Sequence, residues 1–239
     1  MEPQGNEAGW ISQQRHEATH ESLWWKTQNK SELNTGIWNI HSLYTAGALK
    51  TLVNRLSVYR VDIIALQEVW WTGSGILGKW DCTLFYSCDN NDHILGTGFL
   101  VSKRINHLII DFKPLTPRIC ILRIRRKFLN YSIVNGHAAT ETSDNEEMDG
   151  VFDALERTYD ISPRNYIKIA IGDFNAQFGK EAVNFHMTGI YSLHSLMNNN
   201  GSWLIQFAAM WNMIIGSTFC PHKDLHKSTW RSPDGVTFS

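Results

Sequence analysis

Gly172-Asp173-Phe174-Asn175 closes the apolar run Ile167-Lys168-Ile169-Ala170-Ile171, so a strand delivers a carboxylate and an amide together into a loop. Phosphate-ester cleavage needs such a pairing. Other polar residues end apolar runs in the same manner: Asn39 after Ile37-Trp38, Glu68 after the strand at 62–66, and His137 after Tyr131-Ser132-Ile133-Val134. Polar groups at strand ends are how an α/β scaffold gathers a site from distant parts of a chain. A carboxylate with amide oxygens suits a hard divalent cation, Mg²⁺ with Mn²⁺ as an alternative, which keeps several waters and takes one or two protein carboxylates. Glu68 is then the principal ligand, with Asn39 beside it. The ion would neutralise a scissile phosphate and stabilise the leaving oxygen. Asp173 would orient and deprotonate an attacking water, and Asn175 would hold that water or a phosphate oxygen. His137 would hydrogen-bond a non-bridging oxygen in the transition state. Singly, each residue has a plainer reading: turn chemistry for Asn39 and for Gly-Asp-Phe-Asn, a solvated acid for Glu68, a structural role for His137. The ordered set carries the inference.

Strands must present these groups and helices must cover the strands. Ile37-Trp38-Asn39-Ile40 reads as a first strand, and Leu49, Leu52, Val53, Leu56 and Tyr59 then recur at helical spacing. Extended segments fill the middle, at 83–87, 98–102, 108–112, 119–125 and 130–134. Ser143 with Glu146 makes a capping-box pattern, followed by the apolar stripe Met148, Val151, Phe152, Leu155 and Tyr159 of a second helix. A third helix is expected over 203–211 and a strand over 213–217. Helices at both ends of a block of strands point to a layered α/β protein with mixed sheets, and the strand-rich middle argues against a simple parallel sheet. Residues 1–31 are polar and read as a mobile tail; 32–239 read as one domain.

Bulk composition narrows the class without naming it. Hydrophobic content of 43% and charge of 19% are those of an ordinary globular chain. The net charge of -1 gives no general support for nucleic-acid binding, which leaves Arg123, Arg125, Arg126 and Lys127 as a local basic stripe or a solvated strand edge. Four irregularly spaced cysteines suggest a reducing compartment and no structural zinc. No run reaches the roughly 18 apolar residues of a membrane span, so no membrane partner is expected. The N-terminus lacks signal-peptide patterning, which points to an intracellular location, nuclear or cytoplasmic. Nothing in the sequence sets an oligomeric state.

The succession Ile37-Trp38-Asn39-Ile40, Ala65-Leu66-Gln67-Glu68-Val69-Trp70, Gly96-Thr97-Gly98-Phe99-Leu100 and Ile171-Gly172-Asp173-Phe174-Asn175-Ala176 resembles the endonuclease/exonuclease/phosphatase superfamily. More narrowly, it is similar to the apurinic-like endonuclease domain of RTE/BovB-type non-LTR retrotransposons, from which craniofacial development protein 2-like proteins descend. Asn130 to Asn135, Asn200-Gly201, Phe219 to Asp224 and above all His226-Lys227-Ser228-Thr229-Trp230-Arg231-Ser232-Pro233-Asp234-Gly235 strengthen the likeness, which covers about residues 35–236. The resemblance implies a four-layer α/β/β/α sandwich of two mixed sheets, with Mg²⁺-dependent nicking of DNA at one end. By motif position it makes Asn39 and Glu68 metal-site residues and sets Asp173 and Asn175 on the nucleophile and phosphate. His137 takes a place that cellular relatives give to tyrosine and this retroelement branch to histidine. Trp230 would lie near the substrate groove.

Three departures qualify that expectation. Relatives usually run on into a Gln-Ile-Asp-His strand and a Ser-Asp-His motif, which supply the general base; the sequence here closes at Phe238-Ser239. The expectation is therefore a C-terminally truncated sandwich with impaired catalysis. His41 occupies the position of a second metal-binding acid in cellular enzymes, an acid that retroelement relatives also lack. Gly136 and Ala139 stand where a valine and a proline are usual; the glycine is expected to loosen its strand by roughly 0.5–1 kcal/mol. Two other functions stay open: a phosphatase or sphingomyelinase on the same fold, and a non-catalytic module that binds DNA or a protein.

Overall fold

The computed structural model describes residues 33–221 apart from 141, 142, 144, 182–184 and 193. The expected tail at 1–31, Trp230 and the segment from His226 to Gly235 lie outside the described residues. The described residues divide into two compact units, one formed by Leu33–Ala176 and the other containing residues 177–221.

The first unit holds two mixed sheets. One is built from β1 (Thr35–Asn39), β2 (Ile63–Gln67), β3 (Ser74–Lys79), β4 (Cys82–Ser87) and β5 (Thr97–Ser102), in the order β1-β2-β5-β4-β3. β1 and β2 are parallel and the remaining pairs antiparallel. The second sheet contains β6 (Ile109–Thr116), β7 (Ile119–Ile124), β8 (Tyr131–His137) and β9 (Ile167–Asp173), in sequence order, with only β8 and β9 parallel. The parallel pairs need crossover helices. These are α1 (Ala48–Tyr59), between β1 and β2, and α2 (Asn145–Asp160), between β8 and β9.

Side-chain alternation distributes the strands between two cores. Ile64 and Leu66 of β2 point to the helix side, where they pack with Leu52, Val53 and Leu56 of α1. Ile63 and Ala65 point the other way, joining Phe99 and Val101 against Cys120, Leu122, Ile124 and Ile133 of the second sheet. The far face of that sheet is covered by α2, packed on β7, with Met148, Val151, Phe152, Leu155 and Tyr159 buried as the stripe predicts. The layers run α/β/β/α.

A buried cluster of amides crosses the inter-sheet core. Gln67, wholly buried, donates from Nε2 to Asn135 Oδ1 at 2.7 Å; Asn135 Nδ2 donates in turn to the carbonyls of Leu66 at 2.9 Å and Gly98 at 2.8 Å. Two amides thereby hold three strands of both sheets in fixed offset.

Several sequence expectations are corrected. β3 is absent from the predicted segments because Ser74-Gly75 and Gly78 dilute its apolar pattern; it is an exposed edge strand zipped to β4. β8 and β9 run on through His137 and Asp173, which end the strands rather than follow them. Arg123 lies on β7, a central strand, so it is no edge; its guanidinium meets Asp111 at 3.4 Å and donates to the Ile161 carbonyl at 3.0 Å. α2 is described from Asn145; residue 144, which joins it to Ser143, lies outside the described residues, and Ser143 donates its own N–H to Thr140 O.

The second unit contains α3 (Asn199–Met210), which starts four residues before the expected 203. Its N-cap is Asn198, whose Oδ1 accepts from Gly201 N and also from Gln177 N. The expected strand at 213–217 is instead irregular chain leading into a 3₁₀ turn, Gly216–Thr218. Thr218 fastens it by accepting from Gly189 N at 2.7 Å while donating to Ile215 O. Among the described residues, no helix is long and apolar enough to cross a membrane.

Two outcomes test this packing. Asn135→Leu removes two donated hydrogen bonds and strands Gln67 Nε2, so urea denaturation should show a loss of about 2–4 kcal/mol, with part recovered in the Gln67→Leu/Asn135→Leu double variant. Burial pushes the thiols of Cys82 and Cys88 up to about 11 and that of Cys120 to about 12, keeping them protonated below those values. At pH 8 the native protein should therefore show one fast-reacting thiol, the exposed Cys220, and four once unfolded; more than one fast thiol in the native state contradicts the packing.

Candidate active site

The same alternation that builds the inter-sheet core also builds the site. On β1, Trp38 and Ile40 turn to α1, so Asn39 faces the other sheet. Gln67 follows Ile63 and Ala65 on the inner face of β2; Asn135 and His137 follow Ile133 on β8; Asp173 follows Ile171 on β9. Toward one end of the sandwich the interior thus changes from aliphatic to amide, imidazole and carboxylate.

Asn39 stands at the centre. Its Nδ2 donates to Glu68 Oε1 at 2.8 Å and lies 3.4 Å from Asp173 Oδ2, while its Oδ1 accepts from His41 N at 3.3 Å. Two carboxylates therefore sit within about 6 Å of one another around one amide, close enough to repel. The other Glu68 oxygen meets His41 Nδ1 at 2.8 Å. His137 Nε2 lies 3.9 Å from Glu68 Oε1, and its Nδ1 is buried without a hydrogen-bond partner. Burial lowers the His137 pKa below the ordinary histidine value, against the pull of Asp173 and Glu68 and with the help of Arg118. The neutral ring keeps a single N–H to donate.

Backbone geometry presents these groups. Glu68 (φ 58°) and Asn175 (φ 48°) both occupy the left-handed region, as do His41, Ser42 and Trp70 nearby. Such conformations cost of order 1 kcal/mol or more for side-chain-bearing residues and concentrate where function demands them. The loop from Ile40 to Leu43 is zipped onto the end of β2 by Ile40 N to Gln67 O, Ser42 N to Glu68 O and Leu43 N to Val69 O, at 2.8 to 3.1 Å. On the other sheet, Asn175 donates its N–H to Asp173 Oδ1 at 3.2 Å and its Nδ2 to Ala138 O at 2.9 Å. Ala138 N donates to Asp173 O. Gly172, at φ 141°, is held against β8 so closely that a Cβ would overlap the Gly136 carbonyl.

The structure brings Asn39, Glu68, His137, Asp173 and Asn175 together; Trp230 lies outside the described residues. Asn135 and Gln67, which anchor the site, escape a search for polar strand ends: Asn135 lies inside β8, and Gln67, though it closes β2, is masked by Glu68 directly after it. Their signal is an amide at an inward position of an otherwise apolar run. Gly136 also takes a different meaning. A Cβ there would come 2.7 Å from Phe174 Cε1, so its bareness admits the Phe174 ring and does not merely loosen the strand. Among the described residues, no three His, Cys, Asp or Glu side chains gather to hold an ion unaided. The oxygen-rich pair of mutually repelling carboxylates nevertheless fits a hard divalent cation that takes one protein carboxylate and completes its shell with water.

Comparison with known proteins agrees with the fold. Residues 36–222 match the model of the Endonuclease/Exonuclease/phosphatase family, and the chain belongs to that family. It is 28% identical over 206 residues to craniofacial development protein 2 of Tragulus javanicus, and 27% identical over 206 residues to that of Bos taurus. Both alignments cover 86% of this chain but 35% and 34% of those proteins, so the chain spans about a third of the length of the curated relatives it matches. Among solved structures it shares its fold with the endonuclease domain of TRAS1, a telomere-specific non-LTR retrotransposon, at a TM-score of 0.51 and 15% identity, covering 75% of this chain and 70% of that one.

Gly136→Val should test the coupling between glycine and site. Expelling the Phe174 ring costs about 1–3 kcal/mol, and thermal melting should show it. Restoring room with Phe174→Ala in the same chain should recover more stability than additivity allows.

Proposed function

We propose that this chain is a divalent-metal-dependent phosphodiesterase domain that nicks DNA, descended from a non-LTR retroelement endonuclease of the RTE/BovB type. The observation that supports it most is the sharing of one amide, Asn39, by two carboxylates from opposite sheets, Glu68 and Asp173. Glu68 is the residue to hold the cation, Mg²⁺ in the first instance, with Asn39 fixing its carboxylate. The ion supplies charge neutralisation at the phosphate when bound.

The chain's own side chains have complementary tasks. Asp173, anchored by the Asn175 N–H, orients a water and accepts its proton. Asn175 holds the loop to Ala138 O and keeps Asp173 aimed. His137, kept neutral by burial, offers its N–H to a non-bridging phosphate oxygen, where developing negative charge strengthens the bond in the transition state. His41 braces the second Glu68 oxygen from the exposed side.

Purified protein with Mg²⁺ should convert supercoiled plasmid to open circles, and EDTA should stop it. Glu68→Ala and Asp173→Ala should each lower the rate by at least ~100-fold, the range typical of losing a general acid or base. A folded wild-type chain that leaves plasmid intact, or nicking that survives both substitutions, overturns the reading. Salt-dependent DNA binding without cleavage would indicate a binding module instead.

A further inference from the structure

The rim beside Glu68 carries an aromatic pair that the hydrolytic site does not use. Tyr44 is 69% exposed, yet its ring is held against His93 with centroids 4.8 Å apart and planes tilted by 60°. His93 is positioned in turn by a 2.9 Å contact between its Nδ1 and the Trp70 carbonyl. The chain around each ring is fastened to the loop that bears Glu68. Ser42 N bonds Glu68 O, Leu43 N bonds Val69 O, and Tyr44 N bonds Ser42 Oγ at 3.0 Å. From the other side, Gly96 O and Leu95 O accept from Val69 N and Trp70 N. Two loops distant in sequence converge on one backbone turn, and each presents a ring to water there. Leu43, the neighbour of Tyr44, is buried while Tyr44 is not, so the ring is directed outward by the same turn that seats Leu43.

From these contacts we infer that Tyr44, backed by His93, is a stacking platform for an unstacked base of the DNA strand flanking the cleaved phosphate. The identity of the ligand rests on the nuclease reading above. The placement agrees with it: Tyr44 lies two residues beyond Ser42, whose N–H bonds the Glu68 carbonyl, so the ring stands on the loop beside the site rather than among the groups of the site. Every base offers a π face, so the contact adds grip without demanding a sequence. Tyr44 is therefore a positioning residue for substrate.

Binding separates this inference from catalysis. Fluorescence anisotropy in Mg²⁺ would compare a dT 12-mer with an all-abasic 12-mer of equal charge, both phosphorothioate-linked so that they resist cleavage. Wild type should prefer the base-bearing strand roughly 5- to 100-fold, the range of one base–aromatic stack. Tyr44→Ala should lose that preference with the salt slope unchanged, and Tyr44→Phe should keep it. No preference in wild type, preference retained in Tyr44→Ala, or loss in Tyr44→Phe each overturns the platform. Plasmid nicking judges the other claim: nicking without a Tyr44-dependent preference sinks only the platform, and the preference without nicking sinks only the nuclease reading.

Discussion

The buried amide bridge between Gln67 and Asn135 is the constraint from which the working end of the molecule follows. Two sheets joined only by aliphatic contacts can slide by fractions of an ångström at little cost, because dispersion is non-directional. A 2.7 Å hydrogen bond between wholly buried side chains cannot slide. Its partners sit one residue before Glu68 and two before His137, so the register it sets is the register of the site. Asn135 also donates to carbonyls of both β2 and β5, which ties the bridge to backbone as well as to a side chain. The polar groups are expensive to bury unless paired, and that expense makes the alignment specific.

Beyond that anchor, the last residues of the strands depart from regular geometry in a consistent direction. Glu68 and Asn175 adopt left-handed backbone conformations, Gly172 passes against β8 where no side chain fits, and the loop after β1 contains two further left-handed residues. A relaxed strand end would send successive side chains to alternating faces. The turns instead bring Glu68 back toward Asn39, although Glu68 lies on the opposite parity from Gln67. The stability for this strain comes from the two cores behind it, one beneath α1 and one between the sheets.

Much of this was legible in the residues themselves. Apolar runs marked eight of the nine strands among the described residues, and the polar residues that close or follow four of them are neighbours. Periodicity worked because both cores are built by strict alternation. It failed where pattern and environment part company. The edge strand β3 carries glycines and faces solvent, while 213–217 is apolar enough for a strand but turns under the pull of Thr218. Helix α3 begins earlier than its apolar residues because capping by Asn198 settles the start. Gln67 and Asn135 were hidden for a different reason: a buried amide has no local meaning until its partner, 68 positions away, is known.

The contact between Asn39 and Asp173 spans 134 residues of chain. Loop closure over such a separation is deferred until intervening structure has formed, and here β9 must dock in parallel beside β8 before Asp173 arrives. The first sheet alone can bring Asn39 and Glu68 together, but Asp173 joins them only then. During synthesis, most of the first sheet can emerge from the ribosome and assemble while the second carboxylate has yet to be made. The order of translation thus acts as a safety catch: hydrolytic capacity of the proposed kind waits at least until β9, the last strand among the described residues, has docked.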